Sequence, residues 1–200
     1  MHPAPTFRWP DQAAMRAFVA DIAFGTLFAQ TSDGPRVAHV PAIWLDDDRI
    51  GFHLSRGNAL ARHLEAAQAL FVVTGAHAYV SPDYYGLPDQ VGTWNYQAVE
   101  LEGMVAALPD DRLPALLDAL SDDREARLAP KPPWRRDKMT PGLFDKMTKA
   151  ITGYEMRITA MRGTDKRGQH KPVAASAAVA DRLDEAGDHG MATLMRDGIA

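Results

Sequence analysis

The sequence predicts a mainly β domain with peripheral helices, an α+β fold built on an antiparallel barrel. Three observations lead there. The first half reads as strands joined by short turn sequences, which is the pattern of an antiparallel meander. Helical stripes are inserted between strands without regular strand–helix–strand alternation, which argues against a doubly wound parallel sheet. A sheet of this many strands also leaves edges that closure into a barrel removes.

The elements follow in order. Asp11 stands where it can cap a helix, and Met15, Phe18, Val19 and Ile22 then recur at helical spacing. Phe24 to Thr31 (FGTLFAQT) reads as a strand, Ser32 to Pro35 (SDGP) as a turn and Arg36 to Leu45 as a second strand. Asp46 to Asp48 form the next turn, and Arg49 to Ser55 a third strand. Asn58 is placed to cap a short helix holding Leu60, Ala61 and Leu64. Ala69 to Thr74 is strand-like, with a bend expected at Gly75 before the sheet resumes at Tyr79 to Ser81.

A loop with Gly86, Pro88 and Gly92 leads into a long strand from Trp94 to Ala107, with a bulge expected at Gly103. Leu113, Leu116, Leu117 and Leu120 mark a helix opened by Asp110 or Asp111. Ala129 to Trp134 (APKPPW) breaks the chain, because proline neither continues a helix nor donates to a ladder. Thr140 and Pro141 then read as the cap and first turn of a helix bearing Leu143, Phe144, Met147 and Ile151. Tyr154, Met156, Ile158 and Ala160 alternate as a strand, and an Ala-rich tail reads as helix through Met195. Length suggests one domain over residues 1–200, with residues 130–200 as a helix–strand–helix extension of it.

Composition narrows the classes of function. Hydrophobic residues make up 46% and charged residues 24%, enough apolar material for a sizeable core. The absence of cysteine excludes disulfides and thiol chemistry and leads to the expectation of a cytoplasmic protein. The opening MHPAPTFRWPDQ lacks the apolar run of a signal peptide, and no stretch approaches a membrane span. A formal net charge of −4 does not favour nucleic acid as a default partner.

Two stretches could carry chemistry. In FHLSRGN (Phe52 to Asn58) a strand ends in a Gly-containing turn. Arg56 offers a forked cationic donor set suited to a phosphate, Ser55 a hydroxyl, and Asn58 the start of a helix. An exposed arginine beside a routine turn explains the same residues. The span from Ala76 to Gly103 packs His77, Tyr79, Tyr84, Tyr85, Trp94 and Tyr96 close together, and Asn95 adds an amide. Such rings can stack on a conjugated ring system or simply fill a core. The histidines show no metal-ligand spacing, so no metal is expected. Nucleophile-elbow, dinucleotide-binding and P-loop motifs are missing.

The combination of His77 to Pro82 (HAYVSP), Thr93 to Tyr96 (TWNY), Lys149 to Glu155 (KAITGYE) and a basic tail (KRGQHK) resembles the PaiB-like proteins, FMN-binding negative transcriptional regulators. The likeness runs from about Phe24 to the C-terminal helix. It implies an FMN-binding split barrel related to the pyridoxamine-phosphate-oxidase group, a homodimer, and flavin at or near the subunit interface. It also implies cofactor-binding roles for His53, Ser55, Arg56, Asn58, His77, Trp94, Asn95, Lys166 and Gln169. Gly57 stands where many relatives have lysine, and Gly92 where proline is usual.

Three functions from different classes follow: an FMN-binding protein in transcriptional control, an FMN-dependent reductase or oxidase of a small molecule, or a flavin module whose site has degenerated. No catalytic acid or base is assigned, and His53 and His77 are the nearest candidates. Direct reading of DNA lacks both a helix-turn-helix signature and a basic charge, although Arg135, Arg136 and Lys138, or Lys166, Arg167 and Lys171, could share one surface.

Overall fold

Residues 2–198 are described by a computed structural model. The strands are β1 (Arg8–Trp9), β2 (Phe24–Thr31), β3 (Gly34–Trp44), β4 (Arg49–Ser55), β5 (Gln68–Val80), β6 (Thr93–Ala107) and β7 (Ile151–Lys166). The helices are α1 (Gln12–Ile22), α2 (Leu113–Ala126), α3 (Leu143–Thr148), α4 (Val173–Glu185) and α5 (His189–Asp197). The strand order is β1-β7-β4-β3-β2-β5-β6, and β6 also pairs with β7, so the order closes on itself. The pairings with a defined register are antiparallel. The fold is therefore the α+β split barrel expected from the sequence.

The chain forms two compact units. One takes Arg16–Val73 and Glu100–Met161. It holds β2 to β4 and the adjoining stretches of β5, β6 and β7, and is called the barrel unit. The other takes the described parts of Met1–Met15, Thr74–Val99 and Arg162–Ala200. It holds β1, the remaining stretches of the three long strands, α4 and α5, and is called the terminal unit.

In the barrel unit, β2 and β3 meet across the two-residue loop Ser32–Asp33, with Thr31 opposite Gly34. Gly34 takes a φ of 97°, which the tight connection requires. Alternation then sorts the side chains. Leu27, Ile50, Phe52, Phe71, Leu101 and Met156 are fully buried. The Phe52 and Tyr154 rings stack at 5.6 Å, and the Tyr154 hydroxyl donates to the Ala61 carbonyl at 2.8 Å. In the terminal unit, Val179, Ala180 and Leu183 of α4 pack with Met191, Ala192 and Met195 of α5, Ala78 and Val80 of β5, and Tyr85.

Four local expectations change. The segment after Asn58 forms only a 3-10 turn, Ala61–His63. Asn58 Oδ1 accepts from Leu60 N–H at 2.9 Å, but so short a segment cannot repay helix nucleation. Strand β5 is unbroken at Gly75; the buried positions switch from Ala69, Phe71 and Val73 to Ala78 and Val80, so the alternation slips there instead. Strand β6 carries no such slip at Gly103, and its buried positions alternate from Asn95 to Val105. Helix α3 starts at Leu143 behind Gly142, whose φ is 77°, so Thr140 and Pro141 precede the cap, and it ends at Thr148, so Ile151 opens β7 instead of lying on the helix.

Gly103 instead serves close packing. A Cβ built there would sit 2.1 Å from the Arg157 carbonyl oxygen on β7. Gly103→Ala should lower stability by about 1–3 kcal/mol, read from urea unfolding, because backbone must move. Gly57→Ala is the contrast: a Cβ there meets only Ser55 Oγ, at 3.7 Å. That variant should be neutral or more stable by up to about 1 kcal/mol.

Candidate functional site

The site residues expected from the sequence fall into two groups, one in each unit. In the barrel unit, β4 ends at Ser55 and the chain turns through Arg56 and Gly57. Ser55 Oγ accepts from the Gly57 N–H at 3.3 Å. Arg56 donates from Nε to the Lys149 carbonyl at 3.0 Å, and its Nη2 lies 3.7 Å from Asp110 Oδ1. Both groups are exposed, so that ion pair is weak and can be exchanged. The arginine is thus half committed before any anion arrives.

His53, two residues earlier, faces away from the barrel interior. Its Nδ1 is buried without a partner in the chain. Burial holds the imidazole below its ordinary value of 6.5.

In the terminal unit, β5 and β6 bring rings together. Trp94 lies 6.1 Å from Tyr79, edge on, and 6.1 Å from His77. Trp94 is 54% exposed and Tyr79 51%, so these rings form a surface and not a core. Gly92 makes room for it: a Cβ there would sit 2.2 Å from the Tyr79 hydroxyl oxygen.

Asn95 follows Trp94 directly and points to the opposite side of β6, as strand alternation demands. It is 1% exposed and its Oδ1 has no partner in the chain, while its Nδ2 donates to the Met195 sulfur at 3.4 Å. Asn95 lines a cavity of about 220 Å³ with Phe7, Tyr85, Lys166, His170 and Lys171.

Lys166, at the end of β7, is the buried cation of that cavity. Its Nζ donates to the Trp94 carbonyl at 2.7 Å and to Thr93 Oγ1. It therefore fixes the backbone that carries the Trp94 ring. Burial holds its ammonium below the usual lysine value. Gln169 donates from Nε2 to the Thr6 carbonyl at 3.0 Å and the Asp165 carbonyl at 2.7 Å, and its Oε1 accepts from Arg167 N–H. Its amide is spent on holding the turn after β7. Lys171 and His170 were not singled out individually as site residues in the sequence; only their place in the basic KRGQHK stretch pointed to them.

Residues 1–160 match the family described as "Putative FMN-binding domain". The chain belongs to this FMN-binding family. It is also similar to the protease synthase and sporulation protein PAI 2 of Bacillus subtilis, 29% identical over 91% of this chain and 90% of that one. Among solved structures it is similar to the FAD and heme binding protein of Mycobacterium smegmatis, with a TM-score of 0.59 and 19% identity over 80% of this chain and 74% of that one. The flavocytochrome Anf3 of Azotobacter vinelandii gives a TM-score of 0.58 with 17% identity over 83% and 72%. At such identities these structures speak to the fold alone, and they place it among split barrels.

Family membership makes FMN the cofactor of this chain. The residues present fit it. The exposed Trp94–Tyr79 surface offers the π-faces that a planar ring system needs. Taken by itself, the Ser55–Asn58 turn of the barrel unit keeps an arginine edge that is not spent on Lys149 and that an anion can use. Among the described residues no cluster of three or more His, Cys, Asp or Glu is arranged to hold a metal ion, and no helix is long and apolar enough to cross a membrane.

His53 gives a pH signature. The unfolded chain binds a proton at His53 near 6.5, and the folded chain binds it only at lower pH. Stability should therefore fall as pH drops through 6.5 towards the folded value. Urea unfolding from about pH 7.5 to about pH 5.5 should show this fall, and His53→Gln should reduce it, leaving the part due to His170, which burial also lowers. An unchanged slope in the variant assigns the pH dependence to other groups.

Proposed function

We propose that the chain binds FMN with the isoalloxazine stacked on the Trp94–Tyr79 surface of the terminal unit, and that it acts as a PaiB-like regulatory flavoprotein. The observation that carries this reading is the exposure of Trp94, on a strand backbone pinned by a buried lysine. A ring so large is normally removed from water, and an exposed aromatic surface marks a contact site. When bound, FMN supplies the electron chemistry. His77 flanks the ring surface, and Lys166 holds its backbone in place from behind.

Regulation by direct contact with DNA has little support. Arg135 and Arg136 are paired with Asp122 and Asp118, at 3.8 and 3.3 Å, and Lys138 donates to the Pro133 carbonyl. Arg167 pairs with Asp165 at 2.8 Å. Helices α4 and α5 are joined by the short turn Ala186–Asp188, as in DNA-reading helix pairs, yet both His189 and Arg196 on α5 are engaged by aspartates of α4. Most of the arginines that would meet phosphate already have a carboxylate beside them. The regulatory role therefore fits a flavin-dependent or partner-dependent signal better than an operator contact, in a cytoplasmic setting.

We also propose a homodimer. In the barrel unit Phe28 of β2 stands opposite Val37 of β3, and both face outward, 38% and 54% exposed. Phe24, on the same face of β2, is 53% exposed. Neighbouring Leu70, opposite Phe28 on β5, extends the apolar face. A second copy of the chain would cover it without requiring any new chemistry.

Two measurements test these readings. Trp94→Ala should weaken FMN binding by about 1–2 kcal/mol in a fluorescence titration, the loss of one ring contact. Arg56→Ala is the counter-test: a loss of roughly 1.5–3 kcal/mol there, with Trp94→Ala unchanged, would move the cofactor anchor to the Ser55–Asn58 turn. Phe28→Glu should raise the dimer dissociation constant at least ~10-fold, read by light scattering on eluting protein. A wild-type monomer at high concentration would remove the dimer.

A further inference from the structure

A second recess lies in the barrel unit, outside the ring surface described above. It is a cleft of about 410 Å³ between α2, the segment before α3, α3 itself and the start of β7. Its walls include Leu117, Trp134, Met139, Phe144, Met147 and Ile151. The volume falls in the range of sites that take small organic molecules. Two of the wall residues remain open to solvent at their present positions, Trp134 at 39% and Met147 at 59% exposure.

The polar groups of the cleft are few and their state is defined. His53 on β4 lines it, and its buried Nδ1 has no partner in the chain. Arg136 lies over the Phe144 ring, 5.0 Å from its centroid, and pairs with Asp118 at 3.3 Å. The cation of this cleft is thus matched by a carboxylate, so the cleft selects for neither charge. Thr148 spends its hydroxyl on the Asp145 carbonyl at 3.1 Å. What remains is an aromatic and thioether wall with the unsatisfied imidazole nitrogen and the Ser121 hydroxyl. Methionine and aromatic side chains adapt to flat conjugated rings. An unpaired buried nitrogen rewards a ligand that carries one hydrogen-bonding group.

We propose that this cleft binds a planar, uncharged aromatic molecule of the phenol class, with its hydroxyl on His53 Nδ1. The inference does not rest on the flavin reading. It assigns the barrel unit a small-molecule site of its own, and assigns His53 to that site.

The test uses 2-naphthol against naphthalene on the full chain loaded with FMN, followed by calorimetry and by tryptophan fluorescence. The expected result is saturable 1:1 binding of 2-naphthol and roughly 2- to 10-fold weaker binding of naphthalene, the worth of one net hydrogen bond. His53→Leu should erase the difference between the two probes. Ser121→Trp, which fills the cleft from α2, should abolish binding of both, and Met147→Glu at the exposed mouth should weaken both if the first variant does not fold. No saturable binding to the wild type, binding unaffected by both filling and mouth variants, or a probe preference that survives in His53→Leu would overturn the proposal. Stoichiometric displacement of 2-naphthol by FMN from the unloaded chain would overturn it too, and would give the cleft to the cofactor.

Discussion

Closure of the strand order at β6 and β7 is the constraint from which the rest of the fold follows. The two strands approach so closely at Gly103 that no side chain fits between that residue and the Arg157 carbonyl. A closed order leaves no free edge in the barrel unit, and so no template for pairing with another chain. It also fixes the phase of β6. From Asn95 to Val105 the inward positions are all even-spaced, which sends Trp94 outward and Asn95 inward at the other end of the same strand. The exposed ring and the buried amide are thus consequences of one register.

Much of this was legible in the sequence, for physical reasons that can be named. Strands β2 and β4 fall at the expected residues because turn residues bound β4 on both sides and β2 at its end. The helix at Asp11 forms as read, with Asp11 Oδ1 accepting from Ala14 N–H at 3.0 Å. The failures are also local. Gly75 signalled a change in β5, but a glycine announces only that the backbone is permissive; whether the strand bends or slips depends on what covers each face. Asn58 looked like a helix cap because its side chain makes the right local bond, and the helix that should follow lacks the length to persist. Strand β1, of two residues, gave no periodic signal at all.

The site was legible in part, for a different reason. Sequence shows which residue types are present but not which face they occupy. Trp94 and Asn95 read as one recognition pair because they are adjacent, and adjacency on a strand is what separates them. Lys166 and Gln169 read as ligand contacts, yet their hydrogen bonds run to Trp94, Thr93, Thr6 and Asp165. A lysine buried to tie down one strand and a glutamine that closes the next turn look the same in sequence as a phosphate clamp.

Two side-chain atoms bear on how ligands and stability are linked. Asn95 Oδ1 and His53 Nδ1 are buried and find no partner in the chain, and each borders a cavity. An unsatisfied buried polar atom costs on the order of 1–3 kcal/mol, a sizeable share of the stability of a domain this size. Both residues have apolar surroundings that would accept an apolar replacement: Asn95 borders Met195, and His53 shares its cleft with Leu117 and Ile151. Each polar group therefore fits better as one half of a contact than as packing. Whatever completes it, water or ligand, returns part of that cost, and a ligand that binds only the folded chain stabilises it by mass action. Occupancy of either cavity and fold stability are then coupled through the same atoms, so a change in occupancy registers as a change in the stability of the unit around it.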